Sequence, residues 1–420
     1  MNKNTSSPAL DNLLAGNDHT LPQYEGRSIV NIADSICRWL DIPSFGIGPL
    51  QQEIINQVEG PVQRIVLVLI DAVSYHHFQS WSTPYSTSGS LPFLQRGSLN
   101  AITSIAPSTT CAALTSLWTG QPASRHGVSG YEMWMREYNM AVNMIAHRPA
   151  RFRYGENSLS RAGLKPETFL PLLTLGTHLQ AQDIPAHVFQ HQSILHSGLS
   201  RTFLHEVEQH GINTPADLWV SLQELLEAES GHPLMATAYW GAVDGYLHQY
   251  GPEDLRPEKE FAGFLTHLQK NFLDELSPQA RKDTLLLITA DHGQIATPRD
   301  PHYHLEQHPR LVDMLHLLPT GENRLAYFHI RPGKVQEVEN YIQETWPGKF
   351  QCFPSRTLTD NGLFGPGPYH PRWYSRVGDL TVIANDNAYL WWPAEENDML
   401  GRHGGLSEQE MLVPFFSLPL

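Results

Sequence analysis

The stretch 64-RIVLVLID-71 is the most informative segment of this 420-residue chain. Six consecutive β-branched or leucine residues, Ile65–Ile70, suit a strand covered on both faces rather than one with a wet side. The carboxylate of Asp71 follows at once. Working outward, further apolar segments lie at 99–106, 186–190, 234–240, 284–290, 325–330 and 379–384. Helical spacing intervenes at 168–181, 216–228, 257–277 and 334–345, and an earlier helix is read at 29–40. Strands alternating with helices predict an α/β fold, a mostly parallel central sheet with helices on both faces. Residues 301–370 are rich in Pro, His and Gly around a strand–helix–strand pattern, and are expected to form a small α+β cap inserted into a core of 28–300 and 371–420. Residues 1–27 are polar and read as a loose leader.

Composition narrows the function. Hydrophobic residues make up 41% of the chain, enough for a large core. A formal charge of −15 gives no general attraction to nucleic acid or anionic membranes. The partner expected instead is a small phosphoester or nucleotide. Three distant cysteines, Cys37, Cys111 and Cys352, make neither a disulfide framework nor a zinc ribbon. The N-terminus lacks the apolar core of a signal peptide, and Ile65–Ile70 is too short to cross a bilayer, so a cytoplasmic location is expected. Oligomeric state is not encoded in any pattern here.

Ligand-type side chains recur at or just beyond strand ends, where open α/β sheets bind ligands. Asp71 is a metal ligand or a turn aspartate. Thr110, in 107-PSTTCAALTSLWTG-120, stands near a helix N-terminus whose free amides favour anions; Ser108, Thr109 or Thr110 serving only as N-cap is the plain alternative. Asp244 and His248 share one helical face at i, i+4, as would any surface Asp–His pair. Asp291-His292-Gly293 follows the strand 284-TLLLITA-290, and its Gly relaxes the backbone. His403 sits in a Gly-rich loop before a capping box of Ser407 and Glu410. Three Asp, three His and one Thr suit two zinc-like ions with mixed N and O ligands.

The ordered motifs 70-IDA-72, 107-PSTTCAALTSLWTG-120, 126-HG-127, 244-DGYLH-248, 289-TADHG-293 and 403-HGG-405 resemble the alkaline phosphatase superfamily, in particular its type I phosphodiesterase and nucleotide pyrophosphatase branch. The resemblance runs from about residue 64 to 415. It implies that Thr110 is the nucleophile, passing through a phospho-threonine intermediate. It implies that Asp71, Thr110, Asp291 and His292 hold one divalent ion and Asp244, His248 and His403 a second, with zinc the usual metal and manganese the alternative. Branch members carry an Asn three residues after the nucleophile, where this chain has Ala113, so backbone amides near Thr110 and Cys111 are expected to contact the phosphate. A sulfatase is disfavoured, because Cys111 is followed by AALT.

Expected substrate contacts are Cys111, Tyr131, Trp134, His302 and His304. His308 completes a histidine cluster that could face the cleft or bind a third ion but reads first as loop decoration. The pair Trp391-Trp392 reads as core or cap. Two alternatives stand beside a phosphodiesterase. One is a phosphomonoesterase or phosphonate hydrolase, for which Arg125 and Arg136 are the nearby cations; the other is a non-catalytic metal-binding subunit.

Overall fold

The computed structural model describes residues 8–14, 19–151, 155–393 and 396–420. The opening stretch forms β1 (Arg64–Ile70), with all seven residues buried. Successive side chains of a strand face opposite sides, so both faces are covered. The other strands of this sheet are β2 (Ser98–Thr103), β3 (Ala186–His191), β4 (Glu208–Ile212), β5 (Leu234–Trp240), β6 (Thr284–Thr289) and β7 (Leu412–Pro419). Their order is β2-β7-β6-β1-β5-β3-β4. β1 lies parallel to β5 and β6, and β3 parallel to β4 and β5. β7 alone runs antiparallel, between β2 and β6. The expected mostly parallel α/β core is present.

Register aligns the carboxyl ends. Ile70 pairs with Trp240, and Leu69 with both Tyr239 and Thr289. Asp71, the turn after β5 and the turn after β6 therefore open onto one rim.

Two helical patterns appear as read, at Pro215–Ala228 and Val335–Thr345, and a third helix spans Leu255–Leu268. The pattern at 168–181 shrinks to Leu175–Gln180, because Pro171 blocks an earlier start and the Thr174 side chain caps the helix, accepting from the Thr177 N–H. The segment expected to run to 277 leaves α-geometry at Gln269–Leu273, a π-type turn.

A second, wholly antiparallel sheet joins Phe350–Pro354, Leu380–Ala384, Leu325–Phe328, Thr320–Gly321, Glu132–Met135, Met140–Asn143 and Arg148–Pro149, in that order. It packs its own apolar cluster, including Leu311, Phe328, Val338, Trp346 and Tyr389. It reaches beyond the 301–370 boundaries read from composition. Leu380–Ala384, expected as the last core strand, pairs here with Leu325–Phe328 and Phe350–Pro354, and the last core strand is β7. Such short strands carry little alternation, and antiparallel partners can come from any part of the chain.

The stretch read as a loose leader is partly built in. Leu21 is buried, the Thr20 N–H donates to the Leu406 carbonyl (2.8 Å), and the Gln23 N–H donates to the Thr103 hydroxyl (2.9 Å). Residues 1–7 and 15–18 of it lie outside the described residues.

Candidate active site at the carboxyl rim

Asp71 is buried where β1 ends, and the chain turns there through Ala72 at φ +62°. The Ala72 N–H donates to Asp291 Oδ1 (3.2 Å), tying the two strand ends together, and the His292 N–H donates to the same oxygen (3.0 Å). Tyr239, on β5, donates its hydroxyl to Asp71 Oδ2. Gly293 follows because of space rather than dihedral freedom: a Cβ there would stand 2.0 Å from the Gln409 carbonyl oxygen.

Thr110 is the first residue of helix α1 (Thr110–Thr119). Neither preceding hydroxyl caps it. Ser108 donates to the Gly405 carbonyl (2.7 Å) and Thr109 bonds the Glu322 carboxyl. The first amides of α1 have no acceptor within the helix. Asp244 and His248 lie on helix α2 (Ala242–Tyr250), directly after β5. His403 arrives through the pairing of Gly401–Arg402 with Ile295–Ala296, which docks the HGG loop against the turn after β6. The expected capping box forms between Ser407 and Glu410. Glu410 also binds buried Arg324, just before the strand Leu325–Phe328, at 2.7 and 3.0 Å and accepts the Gly405 N–H (2.8 Å).

All seven predicted side chains converge. The His292 Nε2 lies 3.1 Å from Thr110 Oγ1, 3.4 Å from Asp291 Oδ2 and 3.6 Å from Asp71 Oδ1. His248 Nε2 is 3.3 Å from Asp244 Oδ1. The His403 ring stacks on His292 at 3.8 Å and stands 5.1 Å from His248. Each histidine donates through Nδ1 to a backbone carbonyl: His292 to Gly293 (3.2 Å), His248 to Gly401 (2.9 Å) and His403 to Ser108 (3.0 Å). That fixes the tautomer and leaves every Nε2 lone pair facing the cluster, the outer-shell arrangement of metal-bound histidines.

The electrostatics agree. Burial, then the charges of Asp291 and Asp244, pushes Asp71 well above the usual carboxylate range, and burial raises Asp291 to about 6. Asp244 is also pushed up by burial, but His248, His403, His292 and the Gln294 amide outweigh that and hold it low. Burial lowers His292 to about 4 and keeps His403 neutral. Asp71 Oδ1 and Asp291 Oδ2 are buried without a hydrogen-bond partner. Orphaned anionic oxygens beside unprotonated imidazoles are what a cation would satisfy. Tetrahedral ligands at zinc distances lie about 3.4 Å apart, near the spacings around His292. The donor set fits a divalent ion there, and Asp244, His248 and His403 form a second compatible group.

Beside the cluster lies a cleft of about 440 Å³, lined by Thr110, Cys111, Tyr131, Glu322, Asp244, His248 and His403, with Asn143, Arg148, Trp391, Trp392 and Arg402 further out. Of the expected substrate contacts, Cys111 and Tyr131 face it. Trp134 does not line it and packs against His329 at 6.2 Å. His302 reaches the Thr345 carbonyl (3.3 Å), His304 bonds Asn397 (3.1 Å) and His308 bonds Tyr341 (2.9 Å), so the histidine cluster braces the second sheet. Arg125 is spent on Gln121 and the Pro366 carbonyl, and neither it nor Arg136 lines the cleft. Ala113 is fully buried and does not line it either.

Sequence reasoning missed Glu322, Asn143, Arg148 and Arg402, and read Trp391-Trp392 as core or cap. Asn143 and Arg402 end strands of four and two residues, too short to read from alternation, and the others stand outside the rim motifs. Glu322 is the least expected: burial pushes its carboxyl up to about 8, while it accepts the Tyr131 N–H (2.6 Å).

A mixed α/β fold that gathers a hydroxyl, carboxylates and imidazoles at the carboxyl rim of its mostly parallel sheet defines the class, a hydrolase. The chain belongs to the type I phosphodiesterase / nucleotide pyrophosphatase family, whose model matches residues 65–406. It is 25% identical over 194 residues to the Xenopus laevis bis(5'-adenosyl)-triphosphatase enpp4, a match covering 43% of this chain and 38% of that protein's length. In fold it is similar to murine ectonucleotide pyrophosphatase/phosphodiesterase 5, at 16% identity and a TM-score of 0.60 over 85% of this chain and 88% of that one. An inactive variant of that murine protein has been solved with AMP. It is equally similar to phosphonoacetate hydrolase from Sinorhizobium meliloti 1021, solved with phosphonoformate, at 17% identity and a TM-score of 0.60 over 85% and 90%. Among the described residues no helix is long and apolar enough to cross a membrane.

Proposed function

We propose that this hydrolase cleaves a phosphodiester or pyrophosphate bond in a nucleotide-sized substrate, with Thr110 as nucleophile and Asp71, Asp291, His292, Asp244, His248 and His403 as ligands of two divalent ions, zinc by donor type. The observation that carries this is the placement of the Thr110 hydroxyl 3.1 Å from His292 Nε2, among orphaned carboxylate oxygens and at a helix N-terminus. When bound, the ions supply Lewis-acid charge that acidifies a hydroxyl and steadies the phosphoryl oxygens. Thr110 Oγ1 gives up its proton to solvent and forms the bond to phosphorus as the bond to the leaving oxygen breaks, and the released group takes up a proton from solvent. Water then hydrolyses the phospho-threonine and restores the hydroxyl. The free amides at the start of α1, including that of Cys111, are placed to bind a non-bridging oxygen. Trp391, Trp392 and Tyr131 offer aromatic faces to a base or other ring.

A second reading, monoester or phosphonate cleavage, draws on Arg148 in the cleft wall; Arg402 also lines it but is buried and bonded to Thr297, Met399 and Asn397. Comparing turnover of bis-nitrophenyl and mononitrophenyl phosphate separates the two. Preference for the diester, abolished by Thr110→Ala, is expected. Two bound ions with no turnover across a phosphoester panel would instead favour a non-catalytic metal-binding subunit.

A further inference from the structure

The far edge of the main sheet carries a third group of ligand-type side chains. Parallel pairing sets His187 on β3 opposite Glu208 on β4, and Phe189 opposite His210. Residues two apart in a strand share a face, so His187, Glu208 and His210 project to the same side. His187 Nδ1 lies 3.1 Å from His210 Nε2 and 3.6 Å from Glu208 Oε2, and His210 Nε2 lies 3.8 Å from Glu208 Oε1. These separations bracket the spacing of about 3.4 Å between ligands of a tetrahedral zinc ion. The imidazoles are held in place: His210 stacks on Phe189 at 4.4 Å and 12°. His187 is mostly buried, and that burial keeps its ring unprotonated and able to donate a lone pair. Glu229 adds negative potential at His187. Glu208 remains exposed, which leaves an open side for a water ligand.

This group is separate from the Thr110 cluster. Register carries His187 to Ala236 on β5 and from there to Val66 on β1, five residues before Asp71. That offset is about 16 Å along the strands and about 10 Å across two strand spacings.

We propose that His187, Glu208 and His210 bind a further divalent transition-metal ion of the zinc class, which pins edge strand β4 to β3. Two imidazoles and one carboxylate with an open fourth position are a known zinc donor set, and a cross-strand ion would secure β4, whose one strand neighbour among the described residues is β3. The ion would be structural, because nothing of the cleft lies beside it.

The test is an ion count by mass spectrometry on the purified holoenzyme, equilibrated with Zn²⁺ and dialysed against metal-free buffer. The comparison variants are Glu208→Gln and His210→Ala, both at exposed or partly exposed positions that should fold. Each variant is expected to hold one ion fewer per chain than the wild type, to keep wild-type phosphodiester turnover, and to lose the rise in Tm that added Zn²⁺ gives the wild type. Equal ion counts and equal Zn²⁺-induced Tm shifts in all three proteins would overturn the proposal and leave a His–His hydrogen bond flanked by Glu208. The difference between wild type and variants does not depend on whether the cleft is filled, so failure of the cleft reading shows separately, as a low count common to all three.

Discussion

The two halves of the Thr110 cluster are built differently. Asp71, Asp291 and His292 are buried at the ends of β1 and β6, locked by backbone amides and by strand register. Asp244, His248 and His403 are partly exposed, on a helix and a Gly-rich loop. In the first half, burial and mutual repulsion leave negative charge uncompensated. In the second, His248, His403 and Gln294, with His292 of the first half, outweigh burial and hold Asp244 low. The first half is thus a rigid seat that needs a cation, and the second a softer one that tolerates its absence.

That contrast can be broken in several ways. Stripping the ions with a chelator should abolish turnover, and zinc should restore it; activity that survives complete metal removal would end the two-ion account. Thr110→Ala should lower kcat by at least about 10³-fold while ion content stays at the wild-type value. In the metal-free protein, Asp71→Asn should raise stability and Asp244→Asn lower it, each by about 1–3 kcal/mol. Denaturation midpoints of the same sign for the two variants would remove the distinction between rigid and soft halves. Trp391→Ala should raise KM for a nucleotide substrate by about tenfold with kcat little changed, which steady-state kinetics will show.

The smallest effect concerns Glu322. Its carboxyl, pushed up by burial to about 8, lies above the 4.5 usual for glutamic acid. The folded state therefore binds this proton more tightly than the unfolded chain, and stability from this group falls as pH rises from about 4.5 towards 8. Glu322→Gln removes that slope, so its Tm relative to wild type should climb between pH 5 and pH 8. A constant difference would mean that the carboxyl is already ionised in the folded protein.

Legibility followed the same divide. The rim could be read because a fully apolar strand announces a covered sheet and because Asp71 and Asp291-His292 come at or just beyond strand ends, where topology leaves them little choice of place. Thr110 was legible as a helix-start hydroxyl, but that Thr109 turns away to Glu322 was not. The cleft wall was opaque. Trp391 and Trp392 come from an irregular segment between Leu380–Ala384 and β7, and Asn143 and Arg148 from two short strands whose partners no alternation reveals. Likewise Trp134 and His302 look like stacking or binding groups in sequence, and only packing shows one against His329 and the other beneath Trp346.

The lone reversed strand has a kinetic corollary. β2 and β6 never touch; β7 is wedged between them, and it emerges from the ribosome some three hundred residues after β2. Until then β2 is met only at its end, where Thr103 pairs with the chain at Arg27–Ser28, and one flank of β6, next to the Asp291 turn, is bare. Vectorial synthesis thus leaves the buried strand β6 with an open flank from its own completion until β7 is made, a stage at which chaperone capture or mispairing would compete with closure.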